Sequence, residues 1–282
     1  MEILTIVLAG LLSIGSSGGI VLDKIVEGKI RDRVLSVEEQ AVRIDNRPNY
    51  RAARGELERV RIASRGVRIE PGIRIAAIEL ESDPVAVKLD KVKFSSIERL
   101  RESLVTPATG AARIVFTETD LNQALQSAEI QQQLQKTLNR LVARRAGSNN
   151  ISYQISDLRV DLRPQNRLRV DFRLSRPTNR LLSAGDSGTS KVENASRELA
   201  IGLELTLQVV NGQKVRLQDP QGTVNGRPMS SRLLDGFATG ISDRLDLNTL
   251  EADGILARIL QLEIDEDNLE LVSFVRLETK QP

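Results

Sequence analysis

Two stretches of the chain alternate aliphatic or aromatic residues with charged ones: Leu158-Arg159-Val160-Asp161-Leu162-Arg163 and Leu168-Arg169-Val170-Asp171-Phe172-Arg173-Leu174. Successive side chains of a β-strand leave opposite faces, so each stretch makes a strand with one apolar face and one face of Arg and Asp. A helix cannot use the pattern, because its period of 3.6 residues would scatter both sets around the cylinder. The sequence therefore calls for a sheet with water on one side and an apolar partner on the other. That partner is either the protein's own core or lipid.

Composition limits the chemistry available to such a sheet. The 282 residues include no Cys, His or Trp. Zinc centres, thiol nucleophiles and Ser-His-Asp triads are excluded, since these need imidazole or thiolate. Catalysis would have to rest on carboxylates, Lys, Tyr or Ser, and two carboxylate pairs stand out as candidates for a hydrolase, Glu79 with Glu81 and Asp265 with Asp267. Residues two apart on a strand share a face, which suits the Glu pair, whereas Asp265-Glu266-Asp267-Asn268 reads as a hairpin turn. The formal net charge is only +2 and aromatic content 2%, so the concentrated positive face and stacking rings of a nucleic-acid binder are missing. Arg and acidic residues alternate instead, as in an ion-paired, solvated sheet face. No nucleic acid, metal or other cofactor is expected.

The N-terminus carries an apolar run from Ile3 to Leu22, interrupted by Gly15-Ser16-Ser17-Gly18-Gly19. About 20 apolar residues span a bilayer as a helix. Its first part, Ile3 to Ile14, has the length of a signal-peptide core, but no Lys or Arg precedes it. Lys24, Lys29, Arg31 and Arg33 follow, and the positive-inside rule would hold the body on the cytoplasmic side. An anchor, a cleaved signal and a buried helix all remain open for residues 1–22. Residues 23–282 read as one domain.

Within that domain a helix over Ile20–Val34 is expected, then strands at Val42–Ile44, Leu57–Ala63, Val67–Ile69, Ile73–Leu80 and Val85–Phe94. Gly66, Pro71-Gly72 and Asp83-Pro84 mark the turns between them. Helices are predicted over Ile97–Leu104 and Glu118–Arg145, the second opened by a Thr117/Asp120 cap and striped by Leu121, Leu125, Leu134, Leu138 and Leu141. The second half repeats strands then helix: Ile151–Arg163, Arg167–Leu174, Leu199–Val210 and Lys214–Leu217, then a helix over Met229–Asp246 with Leu233, Phe237, Ile241 and Leu245 on one stripe. A Gly/Ser/Thr-rich loop at Leu182–Ser196 is expected to be mobile. A hairpin, Ile255–Ile264 with Leu269–Leu277, closes the chain.

Four stretches carry a resemblance. They are Ser36–Asn46, Glu58–Val67 (containing Arg59-Val60-Arg61-Ile62-Ala63-Ser64-Arg65-Gly66), Ile73–Val85 (containing Glu79-Leu80-Glu81-Ser82-Asp83-Pro84) and Gly254–Leu262. Together they resemble the LmeA-like phospholipid-binding family in its cyanobacterial form, over nearly all of the chain after the N-terminal segment. The resemblance implies an α+β fold in which an elongated, curved antiparallel sheet wraps around long amphipathic helices, similar to tubular lipid-binding folds. It implies a membrane-associated protein of the cell envelope that binds phospholipid or glycolipid in an apolar cavity, and it brings no catalytic motif. Candidate lining residues are Leu121, Leu125, Leu134, Leu138, Leu203, Leu205, Leu207, Leu233, Phe237 and Ile241. Candidate head-group contacts are Arg65 and Arg68, whose guanidinium groups suit bidentate phosphate binding and equally suit surface ion pairs. The alternative is a membrane-anchored scaffold that docks an envelope protein on the curved sheet.

Overall fold

The structure, a computed structural model, describes residues 35–47, 49–88, 97–146, 153–175 and 198–280. Its strands are β1 (Glu39–Asp45), β2 (Glu56–Leu57), β3 (Arg59–Glu70), β4 (Ile73–Ser82), β5 (Val85–Ala86), β6 (Ala108–Thr117), β7 (Gln154–Arg163), β8 (Arg167–Ser175), β9 (Glu198–Val210), β10 (Lys214–Val224), β11 (Arg227–Pro228), β12 (Ile255–Ile264) and β13 (Asn268–Leu277). The helices are α1 (Ile97–Ser103), α2 (Glu118–Leu125), α3 (Ala128–Ala146) and α4 (Ser231–Ser242), with 3-10 turns at Asn49–Arg54 and Leu247–Asp253. The strands form an open six-stranded sheet in the order β1-β3-β4-β6-β13-β12, an open five-stranded sheet in the order β11-β10-β9-β8-β7, and a small β2-β5 pair. Every pairing is antiparallel.

The six-stranded sheet carries the main core. Val60 and Ile62 on β3, Leu80 on β4, Ala112 on β6 and Val275 and Leu277 on β13 are buried on one face, together with Leu100 and Leu104 in and just after α1. Arg101 fixes α1 by donating to the carbonyls of Glu278 and Asp253, both at 2.9 Å. A second cluster of Val67, Ile75 and Ile78 continues the core along the sheet. The opposite face is held by ion pairs, among them Arg113 with Glu270 at 2.6 and 2.8 Å.

The edge of β7 is closed by side chains instead of a strand. The Asn122 side chain donates to the Val160 carbonyl and accepts from the Val160 N–H, both at 2.8 Å. One turn away on either side, Glu118 accepts from the Leu162 N–H at 2.9 Å and Gln126 donates to the Leu158 carbonyl at 3.0 Å. Further along, Gln135 on α3 accepts from the Ile155 N–H and donates to the Tyr153 carbonyl. The match is geometric. Four helical residues rise about 6 Å and two strand residues about 6.7 Å, so a polar stripe at every fourth residue meets every second residue of the strand.

Several expectations are corrected here. The helix expected over Glu118–Arg145 is two helices, because Ser127 caps a new one: its hydroxyl accepts from the Ile130 N–H at 3.4 Å. Of the two strands expected at Leu57–Ala63 and Val67–Ile69, Leu57 belongs to β2 and the rest from Arg59 on is one strand, β3, with Gly66 inside it and not at a turn. Of the strand expected over Val85–Phe94 only residues 85–88 are described, and of these Val85–Ala86 form β5. Residues 89–96 lie outside the described residues, as do the N-terminal segment, the helix over Ile20–Val34 and the loop Leu182–Ser196. The strand expected to end at Leu217 runs on to Val224, through an irregularity between Gln218 and Gln221. The chain does not fold as two similar halves, since the closing hairpin β12–β13 joins the sheet of the first half through β6. The antiparallel α+β class stands, as two open sheets with α2 and α3 on an edge and α4 against β10.

Asn122→Ala strips both partners from Val160, and is expected to cost about 2 kcal/mol in urea unfolding; Gln123→Ala, an exposed neighbour, stays within about 0.5 kcal/mol. A second expectation concerns acid. Hydrogen bonding from Arg113 holds the Glu270 carboxyl below the usual carboxylate range. That stabilisation is present above the ordinary carboxylate pKa and is lost as pH falls through the lowered value. Thermal melts from roughly pH 5 to pH 2 should show a shallower acid loss in Glu270→Gln than in wild type.

Candidate functional site

The two faces of the five-stranded sheet differ sharply. On the outer face, Arg163 pairs with Asp161 and Glu204 at 2.9 Å, Arg169 with Asp171 at 2.7 Å, and Arg173 with Asp157 and Glu198 at 3.3 and 3.4 Å. Gly202 makes room for this lattice, because a Cβ there would sit 2.8 Å from Asp171 Oδ1. The inner face is aliphatic row by row across the strands. Leu162, Leu168 and Leu205 form one row, Val160, Val170 and Leu203 the next, then Phe172, Ile201 and Val224, then Ile155, Leu174 and Leu199.

Burial is graded along this face. Leu162 at 2% exposure, Leu205 at 5% and Leu217 at 7% are buried. Phe172, Ile201, Val224, Ile155, Leu174 and Leu199, at the other end, are only half-buried. Helix α4 packs on the buried end, where Ala238 joins Leu205 and Leu217. Gly222 allows its close approach, since a Cβ there would meet Leu234 at 2.7 Å and Leu203 and the Met229 sulfur at 2.9 Å.

The sequence-derived lining residues distribute over these elements. Leu203 and Leu205 are buried on β9 and Leu207 is half-buried beside them. Leu121 and Leu125 on α2 and Leu134 on α3 are half-buried, and the Leu138 side chain lies outside the described residues. Ile241 packs partly against Leu205 and Leu217, while Leu233 and Phe237 are exposed on α4. The head-group candidates Arg65 and Arg68 stand on β3 of the six-stranded sheet, and both are exposed.

Gly66 explains how two arginines three residues apart come to be exposed together. Its φ is +59°, and the buried residues of β3 switch there from Val60, Ile62 and Ser64 to Val67. Arg65 before the switch and Arg68 after it therefore share the outer side. Glu38 lies over Gly66, where a Cβ would collide with its carboxyl group. Arg74 grips Glu38 at 3.0 and 3.1 Å and also reaches Asp120 on α2, which is only 4% exposed. Hydrogen bonding from Arg74, with the fields of Arg74 and Arg68, lowers the Glu38 pKa. Inside the same sheet, both polar side-chain atoms of Gln40 are buried with no hydrogen-bond partner, a state that costs about 1–3 kcal/mol.

The carboxylate pairs have structural uses. Glu79 pairs with Arg113, and Glu81 with Arg59 and Arg61. Asp265 accepts the N–H groups of Asp267 and Asn268, which shape the hairpin turn and lower its pKa. Among the described residues no group of three or more acidic side chains gathers as a metal site, and no helix is long and apolar enough to cross a membrane. An open groove of about 680 Å³ runs between α2 and β7, lined by Thr119, Gln123 and Arg159 beside the bonded Glu118, Asn122 and Gln126. Sequence reasoning missed this seam, although the polar residues at 118, 122 and 126 are its periodic signal.

The five-stranded sheet is thus antiparallel with one ion-paired face and one incompletely buried aliphatic face. The model of the LmeA-like phospholipid-binding family matches residues 16–273, and the chain belongs to that family. The comparisons with curated proteins and with solved structures found no match. The family points to phospholipid as the partner and to binding rather than turnover as the activity.

Gly66→Ala is expected to lower stability by about 1–2 kcal/mol, from the left-handed backbone and the displaced Glu38. The same change made in a Glu38→Ala background should cost less, which thermal melts of the single and double variants would resolve.

Proposed function

We propose that the protein holds a phospholipid non-covalently at a membrane, with acyl chain laid along the half-buried end of the aliphatic face of β7–β10, and passes it on unchanged. The observation that carries this reading is the burial gradient. One continuous aliphatic face has buried residues, Leu205 and Leu217, under α4, while Phe172, Ile201, Ile155, Leu174 and Leu199 are all half-buried. Each methylene withdrawn from water there contributes about 0.8 kcal/mol, so one acyl chain along a few rows supplies useful affinity. The face is poor in polar groups, which suits a hydrocarbon chain and sets no geometry for chemistry on the head group. Arg65 has no ion-pair partner among the described residues, and Arg68 acts on Glu38 only through its field. Both offer a lipid phosphate a planar, bidentate donor.

Native mass spectrometry of the gently purified full chain, with extraction of bound lipid, tests the reading. A stoichiometric phospholipid is expected. Phe172→Asp should lose it, while Arg169→Gln on the opposite face of the same strand keeps it. Absence of lipid in the wild type, with none taken up from vesicles, would overturn the proposal and favour a scaffold with a closed core. Arg65→Gln with Arg68→Gln should weaken binding to anionic vesicles; unchanged binding removes the two arginines from the head-group role.

A further inference from the structure

Helix α4 presents two parallel rows of side chains. Leu234, Ala238 and Ser242 form the row that faces the sheet, and all three are buried. The row beside it, Leu233, Phe237 and Ile241, repeats at the same four-residue spacing, yet Leu233 is 47% and Phe237 41% exposed. Leu245, just past the helix end, is 40% exposed. The next flank is open too, because a Cβ at Gly236 or Gly240 meets nothing within 4 Å. Packing on β10 uses only the first row, so the second is apolar surface that the fold of this chain does not consume.

Charge around the row gives its partner. Arg227, Arg232 and Arg244 are exposed and have no ion-pair partner among the described residues. Arg244 stands in the turn that follows the helix, next to the exposed Leu245. Of the acids on this element, Asp243 is neutralised by Lys214 at 2.8 Å, Asp246 accepts from the Asn248 N–H, and Asp235 is exposed three residues after Arg232, on the side of the helix away from Phe237. Apolar side chains flanked by free guanidinium groups match an anionic bilayer surface, where the chains enter the acyl boundary and the arginines meet phosphates.

We propose that α4 is the membrane-docking element of this protein, lying in the interface of an anionic bilayer through Leu233, Phe237 and Leu245, with Arg232 and Arg244 at the phosphate level. The inference rests on the lipid-holding reading in one respect: docking through α4 brings the half-buried aliphatic rows of the adjoining strands to the membrane surface. Docking and holding are nevertheless separate events with separate readouts.

The chain has no Trp, so Phe237→Trp in the full-length protein creates a single emitter on the row. Mixing with phosphatidylglycerol-containing vesicles should shift its emission to the blue, and brominated acyl chains should quench it. Tyr50→Trp, at an exposed position on the six-stranded sheet's side, should stay unchanged. Adding Arg232→Gln and Arg244→Gln should weaken the titration roughly tenfold, and pure phosphatidylcholine should do likewise. Equal shifts at both Trp positions would mean adsorption without orientation and overturn the proposal. So would F237W emission that is already blue without vesicles and unmoved by them, the sign of a second copy or another segment of this chain on the row. Failure of docking with lipid still present in native mass spectra would sink this inference alone; lipid-free protein that docks would sink the holding reading alone.

Discussion

The contact on which the rest of the structure depends is the seam between α2 and β7. Helix α2 begins one residue after β6 ends, with Thr117 as its cap, and so is fixed to the six-stranded sheet by the chain itself. Asp120 ties the same helix to Arg74 on β4. From the other side, Glu118, Asn122 and Gln126 complete the backbone hydrogen bonding of the five-stranded sheet's edge. An edge strand left open invites pairing with another chain. Here the edge is closed by a helix that also joins the two sheets, and the groove beside it follows from that closure.

Once the sheets are joined, the apolar faces have unequal fates. The six-stranded sheet buries its inner face under α1, the β2–β5 pair and the turn at Asn49–Arg54, giving residues such as Val60, Ile255 and Leu277 no solvent contact. The five-stranded sheet has α4 for cover at β10, and its aliphatic rows extend past the residues that helix buries. Protein interiors close at crystal-like density. A face that stays half-buried along two rows is where the proposed acyl chain would lie.

Much of this was legible in the sequence. The alternation at 158–163 and 168–174 gives two strands with the right faces, and the cap at Thr117 and the turn at Asp265 follow from local chemistry that folding does not override. What escaped depends on long-range geometry. Ser127 breaks a helix at a point marked by neither Pro nor Gly. Gly66 reads locally as a turn, but pairing on both sides of β3 absorbs it as a change of parity inside one strand. The closing hairpin crosses back to β6, a choice that local pattern does not record. The stripe on α4 was visible as a stripe, while its division into a covered row and an exposed row depends on how closely Gly222 lets the helix approach.

The ion-pair lattice on the outer face then takes on a specific role. Exposed pairs contribute little stability each, about 0–1 kcal/mol, so Arg163, Arg169 and Arg173 are not what keeps the sheet folded. Register is another matter. A strand that slips by one residue exchanges its faces, and a tightly packed core normally forbids it. An aliphatic face that is only half-filled, and whose rows of Leu, Ile and Val are nearly interchangeable, enforces register weakly. The outer lattice supplies the missing specificity, because a slip of β8 against β9 would bring Arg169 and Asp171 into the aliphatic layer. Alternation along these strands thus serves the inner face twice: it provides the apolar rows, and it locks them in place without requiring that they be filled.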